Sequence, residues 1–203
     1  MQRVVAYVDG FNLYHGLKEA GWRRYYWLNL RTMCQLLLRD DQTLEDVKYF
    51  TSRVRNPEDK RRRQTAYLMA LKQVAAIAPY EGKYSIETHT CPLCTGRYTT
   101  PVEKMTDVNM GIEIVTDAFL DAYDAAWVVS ADRDLLPAIW KVRRLFPTKQ
   151  VDAYFGPRRK STEVAAAANH HMDIRREILR DSQMPDCIKR SDGTEILRPE
   201  HWR

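Results

Sequence analysis

Two aspartates separated by one residue follow a buried strand near the middle of the chain. The apolar run that contains this strand ends at Val129, and Ser130 is followed by Asp132 and Asp134. Apolar residues then recur at helical spacing, so a helix is predicted to begin near Asp134 with Pro137 in its early turns. A strand-to-helix turn needs one capping aspartate. The second carboxylate is not needed for capping. It is therefore available for chemistry, at the place where open α/β sheets bind their ligands.

A second strand-to-helix turn, near the start of the chain, repeats this design. The segment from Arg3 to Val8 is an apolar run of strand length, Asp9 follows it, and Gly10 permits a tight turn. A third acidic stretch runs from Glu103 to Asn109 and contains Asp107. It precedes a predicted helix with one apolar face, formed by Ile112, Val115, Phe119 and Ala122.

These acidic residues converge if the strands before Asp9 and Asp132 are neighbours in the sheet. The crevice then contains four carboxylates: Asp9, Asp107, Asp132 and Asp134. Crowded carboxylates repel one another, and hard divalent cations such as Mg²⁺ or Mn²⁺ relieve that repulsion. The constellation therefore predicts metal-assisted phosphoryl chemistry.

Three motifs carry a resemblance to a known family. They are Val-Asp-Gly-Phe-Asn at 8–12, Glu-Lys-x-x-Asp-Val-Asn at 103–109 and Ser-x-Asp-x-Asp-Leu-x-Pro at 130–137. Their order and spacing resemble the NYN domain, a PIN-like family, within its bacterial LabA-like branch. Members are metal-dependent ribonucleases or are inferred to be. By motif position, the resemblance implies an acidic site formed by Asp9, Asn12, Asp107, Asp132 and Asp134.

The fold expected is a single three-layer PIN-like α/β domain, with a mostly parallel central sheet and helices on both faces. We place the nuclease domain at 1–185, with a Cys-x-x-Cys loop insertion at about 89–100, and a C-terminal tail at 186–203. No run approaches the roughly 18 apolar residues of a membrane helix. The first residues enter a strand rather than a signal peptide, so a cytoplasmic protein without a membrane partner is expected.

The roles expected within the site follow from the chemistry of each side chain. Four aspartates, Asp9, Asp107, Asp132 and Asp134, hold Mg²⁺ or Mn²⁺, while Asn12 orients a water or a ligand carboxylate. Ser130 donates to a phosphate oxygen. Asp117 is expected to have only a secondary role in the site, because it lies nearly three helical turns from Asp107 and one helix does not direct both residues to the same metal.

Several basic residues are candidates for binding the substrate. Lys104 and Arg133 are placed to offset charge that develops in the transition state. The loop Arg158, Arg159 and Lys160 follows the next strand and is a candidate for phosphate contact, with a merely solvated loop as the alternative. The net charge of +5 agrees with a polyanionic partner, and single-stranded RNA is the expected one. The sequence leaves open whether the chain forms a homo-oligomer.

The sequence departs from the family's motif at two positions. Ala131 replaces the usual glycine between the serine and the first aspartate, and Arg133 replaces a small polar residue between the two acids. An arginine there has an alternative role, which is to neutralise a carboxylate instead of contacting phosphate.

A pair of cysteines marks the loop insertion. Cys91 and Cys94, with a glycine nearby, form half of a zinc knuckle. His89 is a candidate third ligand for a structural Zn²⁺, and either Cys187 or a histidine elsewhere is a candidate fourth. The alternative is a pair of free thiols.

The function expected is a metal-dependent endoribonuclease that hydrolyses phosphodiester bonds. The main alternative is a catalytically weak PIN-like RNA-binding or scaffold module. A phosphatase of the haloacid dehalogenase type would need Asp-x-Asp after the first strand, where Gly10 and Phe11 follow Asp9 instead. No pattern typical of a Ser-His-Asp site or of a glycine-rich nucleotide loop is present in the sequence.

Overall fold

The computed structural model describes the backbone of residues 1–203 and the side chains of 1–83, 87–99 and 104–203. The strands are β1 Gln2–Asp9, β2 Gln42–Thr51, β3 Pro79–Glu81, β4 Lys83–Thr90, β5 Arg97–Lys104, β6 Ala125–Val129, β7 Gln150–Phe155, β8 His170–Asp173, β9 Cys187–Lys189 and β10 Glu195–Leu197. The α-helices are α1 Gly10–Glu19, α2 Leu30–Gln35, α3 Glu58–Ala75, α4 Thr106–Phe119, α5 Leu136–Leu145, α6 Thr162–Ala167 and α7 Arg176–Asp181.

Six strands form a central sheet in the order β3-β2-β1-β6-β7-β8, and neighbouring strands are parallel. Strand β1 lies between β2 and β6, with Val8 opposite Val129. The acidic residues were expected to converge if these two strands were neighbours, and they are. Asp9 and Ser130 follow the paired residues Val8 and Val129, so both lie at the same end of the sheet. The parallel order confirms the predicted α/β class.

Two hydrophobic cores cover the two faces of the sheet. Val4, Ala6 and Val8 of β1 belong to the core beside α1, α2 and α3. Val5 and Tyr7 point the other way, into the core beside α4, α5 and α6. This alternation follows from the two-residue period of a strand. The result is the predicted three-layer arrangement.

Two smaller hairpins lie outside the central sheet. Strands β4 and β5 pair antiparallel, and the two cysteines of the loop insertion lie at their turn. Strands β9 and β10 form the second hairpin, within the predicted tail. Ile188, Ile196 and Trp202 of the tail are buried in the same core as α1. The tail therefore completes the domain rather than extending away from it.

The predicted apolar face of α4 is largely wrong, although Val115 is partly buried against the core. Ile112 is 56% exposed and Phe119 is 65% exposed, and the helix ends before Ala122. The buried face instead contains Met110, Ile114, Asp117 and Ala118. The prediction failed because one buried position is a charged residue, which a search for an apolar stripe passes over.

None of the helices among the described residues combines the length and the apolarity that a membrane span requires.

Candidate active site

The site is built around Asp9, the last residue of β1 and the N-cap of α1. Its side chain is buried, with the residue 4% exposed. Oδ1 accepts a hydrogen bond from the backbone N–H of Asn12 at 2.9 Å, which is the capping interaction. Oδ2 accepts a hydrogen bond from the hydroxyl of Ser130 at 2.8 Å. One oxygen thus serves the helix, and the other joins β1 to the turn after β6.

Further hydrogen bonds fix the two turns against each other. The N–H of Asp132 donates to Oγ of Ser130 at 3.0 Å, and the N–H of Ala131 donates to Oδ1 of Asn12 at 3.3 Å. The hydroxyl of Ser130 therefore donates to Asp9 in this structure, and its contact with a phosphate oxygen stays a prediction. The side chain of Asn12 orients the turn that carries Asp132.

The pair Asp132 and Asp134 lies on the short 3-10 turn that leads into α5. Asp132 caps that turn, since its Oδ1 accepts from the N–H of Asp134 at 2.9 Å. The carboxylate of Asp134 is exposed. Among the described side chains, no lysine, arginine or histidine lies within ion-pair distance of Asp132 or Asp134. Their negative charge is therefore not balanced by a cationic side chain in the described part of the protein.

Asp107 lies in the first turn of α4. It is partly buried, and the helix is anchored by Thr106, whose Oγ1 lies 3.3 Å from Oγ of Ser52 at the end of β2. Helix α4 also packs against the 3-10 turn that carries Asp134. The elements that bear all four predicted acidic residues thus meet at one edge of the sheet. The side chain of Glu103 lies outside the described residues.

The donor set at this edge suits a hard divalent cation. Each carboxylate oxygen has two lone pairs, so accepting one hydrogen bond does not by itself prevent an aspartate oxygen from binding a cation. Among the described residues, no group of three or more His, Cys, Asp or Glu side chains is arranged to hold a metal. Mg²⁺ does not require such a cage, because it is commonly bound by one or two carboxylates together with waters and substrate phosphates.

Asp117 of α4 forms a buried ion pair with Lys48 of β2. Its Oδ2 lies 2.6 Å from Nζ of Lys48 and accepts a hydrogen bond from the hydroxyl of Tyr7 at 2.5 Å. Lys48 also contacts Glu113 at 2.7 Å. Burial lowers the pKa of Lys48, but its hydrogen bonds to the two carboxylates outweigh that effect, and the net pKa is raised. Since Tyr7 lies two residues before Asp9 on the same face, this cluster supports the floor of the site.

Two predicted substrate-binding residues make ion pairs of their own. Arg133 pairs with Glu163 at 3.3 Å, so it neutralises a carboxylate outside the acidic crevice. Lys104 pairs with Glu87 of the neighbouring strand at 2.7 Å. Both pairs are substantially exposed, and such pairs exchange partners at little cost. Neither residue is therefore barred from binding phosphate.

The basic loop lies at the carboxyl end of β7, on the same edge as the acidic residues. Arg159 pairs with Glu19 of α1, and Lys160 lies 3.7 Å from Asp173. Arg158 is exposed. The loop packs closely on α1, because a Cβ at Gly16 would meet the carbonyl oxygen of Pro157 at 2.3 Å. This packing fixes the loop beside the crevice.

Replacing Arg158, Arg159 and Lys160 together with Ala should weaken RNA binding and flatten its salt dependence. Each lost phosphate contact reduces the slope of log affinity against log salt by roughly 0.7 for a single strand. Anisotropy titrations at several salt concentrations measure this slope. Replacement of the exposed Lys72 on α3 provides the control. An unchanged slope in the triple variant would favour the alternative, in which the loop is solvated and does not contact phosphate.

The cysteine loop forms a tight turn. The N–H of Cys91 donates to the carbonyl oxygen of Gly96 at 2.8 Å, and the N–H of Thr95 donates to that of Cys91 at 2.9 Å. Hydrogen bonds from the backbones of Cys94 and Leu93 lower the pKa of Cys91. The ring of His89 stacks on Tyr98. The zinc site stays a prediction.

Alkylation rates should separate the two interpretations of this loop. Cys91 has a lowered pKa, and so a larger thiolate fraction at neutral pH, and should react quickly with iodoacetamide. Cys34 should not react in the folded protein, because it is fully buried and burial raises its pKa to about 12. Peptide mass spectrometry reports both sites. Slow reaction of Cys91 that becomes fast after chelation would instead favour bound zinc.

Comparison with known proteins identifies the family to which this geometry belongs. No curated protein matches the chain. The chain is similar to the crystal structure of a protein of unknown function, VPA0982, from Vibrio parahaemolyticus RIMD 2210633. That match has a TM-score of 0.55 and 17% identity, and it covers 87% of this chain and 94% of the other. It shows a shared fold. A family model described as the NYN domain matches residues 3–175, so the chain belongs to the NYN domain family, a PIN-like family.

Proposed function

We propose that the protein is a metal-dependent endoribonuclease that hydrolyses phosphodiester bonds of single-stranded RNA. The observation that carries the proposal is the junction at the carboxyl ends of β1 and β6. There Ser130 joins Asp9 to the turn that bears Asp132 and Asp134. Membership of a PIN-like nuclease family supports the class of reaction.

Capping alone does not account for this arrangement. The N-cap role uses one oxygen of Asp9 and one of Asp132. Among the described residues, the carboxylate of Asp134 caps no backbone N–H group and has no cationic partner, and Asp134 lies only two positions after Asp132. Uncompensated carboxylates at one edge repel each other and favour a divalent cation.

Asp9 and Asp132 would hold Mg²⁺ or Mn²⁺, with Asp107 and Asp134 as further ligands. When bound, such an ion lowers the pKa of a coordinated water and neutralises charge on the scissile phosphate. Ser130 fixes the carboxylate of Asp9, and Asn12 fixes the turn of Asp132, so both acids are preorganised. The exposed Arg158 lies at the same edge, where a phosphate of the incoming strand would approach.

The alternative is a catalytically weak RNA-binding or scaffold module, in which Asp9 and Asp132 serve only as helix caps. The two functions differ in their need for divalent ions. With an end-labelled single-stranded RNA, the enzyme should cut internally with Mn²⁺ and stop when EDTA is added. RNA retained without divalent ions and never cut with them would favour the binding module.

A further inference from the structure

An aromatic cavity of about 270 Å³ lies beside the acidic crevice, between α1, α3 and the end of β2. Its lining includes Tyr14, Tyr26, Tyr49, Tyr67 and Trp202. This volume is slightly below the range of typical small-molecule sites, which is about 300–1,000 Å³. It therefore suits a single flat ring system rather than a large ligand.

The aromatic rings form one continuous wall. Tyr26 contacts Tyr14 with ring centroids 4.9 Å apart and Trp202 with centroids 5.7 Å apart. Tyr67 lies 6.2 Å from Trp202 and donates its hydroxyl proton to the carbonyl oxygen of Leu28 at 2.9 Å. Tyr14 is 36% exposed and lies where the wall reaches solvent. Such a wall offers stacking surfaces that any nucleobase can use.

Positive charge borders the same cavity. Lys18, Lys60 and Arg63 are lining residues, and Arg63 is paired with Asp59 at 2.8 Å. Among the described side chains, neither Lys18 nor Lys60 has an ion-pair partner. Burial, followed by the charges of Arg159 and Lys18, lowers the pKa of His15, which also lines the cavity. An aromatic wall with unpaired ammonium groups complements a base that carries a phosphate.

The cavity adjoins the proposed cleavage site directly. Gly10, which follows Asp9, is a lining residue, and a Cβ there would meet the hydroxyl of Tyr49 at 2.5 Å. Glycine is thus required for the start of α1 to pack on the cavity floor. A base held in the cavity would leave its strand running across the N-terminus of α1 toward Asp9.

We propose that this cavity is a base-binding subsite, in which one nucleobase of a single-stranded RNA stacks on Tyr14 and Trp202 while a neighbouring phosphate contacts Lys60. The inference rests on the proposed function and names a determinant of how the RNA is positioned for cleavage. Trp202 lies outside residues 3–175, the part that matches the family model. The C-terminal segment therefore contributes one ring to a subsite whose other lining residues lie within the matched part.

Binding without catalysis tests the proposal. An RNA oligomer is prepared with an abasic nucleotide at one position at a time, and anisotropy measures its affinity in EDTA. For the parent protein, one abasic position should weaken binding about tenfold, or about 1.4 kcal/mol, because the base that stacks on the aromatic wall is missing. Tyr14→Ala and Trp202→Ala should bind intact RNA more weakly and lose most of that position's penalty. Lys60→Ala should weaken intact and abasic RNA equally.

Matched controls keep the test specific. Phe119→Ala removes an exposed aromatic ring at the far end of α4, and Lys72→Ala removes an exposed ammonium group elsewhere on α3. Both should bind RNA like the parent. Tyr14→Ala removes a partly exposed ring and should fold even if loss of Trp202 loosens the tail, and circular dichroism verifies each variant.

The outcomes distinguish a failure of the base-binding subsite from a failure of the proposed nuclease function. If the parent cleaves RNA with Mn²⁺ but no abasic position matters, or if the penalty survives in Tyr14→Ala, the subsite is wrong and the nuclease stands. If adenosine 5′-monophosphate alone binds the cavity more tightly than the oligomer, the cavity belongs to a free nucleotide and the subsite is again wrong. If the parent neither binds nor cleaves RNA, both proposals fail.

Discussion

Asp132→Asn should reduce the rate of RNA cleavage by about a hundredfold or more while leaving the fold intact. Asparagine keeps the size of the side chain and an oxygen that can accept the hydrogen bond from the N–H of Asp134, so the cap survives. It removes one negative charge from the acidic edge, which should weaken binding of Mn²⁺. A hundredfold loss corresponds to about 2.7 kcal/mol of transition-state stabilisation, within what a bound metal supplies.

Calorimetry with Mn²⁺ and cleavage of a labelled single-stranded RNA test the two parts of this prediction. Without metal, the variant should be at least as stable as the parent, since repulsion between carboxylates is relieved. Asp40→Asn is the matched control, because Asp40 is exposed and precedes β2 at the opposite edge of the sheet. If the variant bound Mn²⁺ and cut RNA like the parent, Asp132 would not be a metal ligand of the site.

Lys48→Met should cost about 3 kcal/mol of folding stability or more. The side chain of Lys48 is 13% exposed and that of Asp117 is 8% exposed, so the ion pair is shielded from water. Removing the ammonium group leaves the carboxylates of Asp117 and Glu113 without their cation, and breaking a buried pair from one side typically costs about 3–5 kcal/mol. Urea unfolding followed by circular dichroism measures the change.

The double variant Lys48→Met, Asp117→Asn distinguishes an ion pair from a packing effect. Asparagine removes the stranded charge and keeps an acceptor for the hydroxyl of Tyr7, so part of the lost stability should return. Lys72→Met replaces an exposed lysine on α3 and should change stability by less than about 0.5 kcal/mol. If the two substitutions at 48 and 117 are additive, the carboxylate was not what Lys48 stabilised.

The acidic edge was predictable because its residues follow strands in a recognisable order. A buried run that ends in Asp9 and another that ends at Val129, just before Ser130, each place polar groups at the carboxyl end of a strand. The sequence could not show that β1 and β6 are neighbours, since strand order depends on how distant segments pack. It also could not show the bond from Ser130 to Asp9, which joins residues 121 positions apart.

Other features escaped prediction for physical reasons. The face of α4 was misassigned because Asp117 is buried with Lys48, and a hydrophobic pattern does not register a buried ion pair. The sequence left open whether the tail docks through Trp202 or stays mobile, and in the structure Trp202 packs beside Tyr26 and Tyr67. A lone tryptophan near the end of a polar segment does not reveal its distant contacts. The cavity that it closes was therefore invisible in the sequence.

A crystal of the protein soaked in Mn²⁺ and recorded at the manganese absorption edge tests the central claim most directly. The proposal predicts an anomalous peak at the carboxyl ends of β1 and β6, within about 2.0–2.3 Å of carboxylate oxygens of Asp9 and Asp132. The same soak of Asp132→Asn crystals should weaken or abolish the peak. The account would be contradicted if no peak appeared near Asp9 and Asp132 at a Mn²⁺ concentration at which the dissolved protein cleaves RNA.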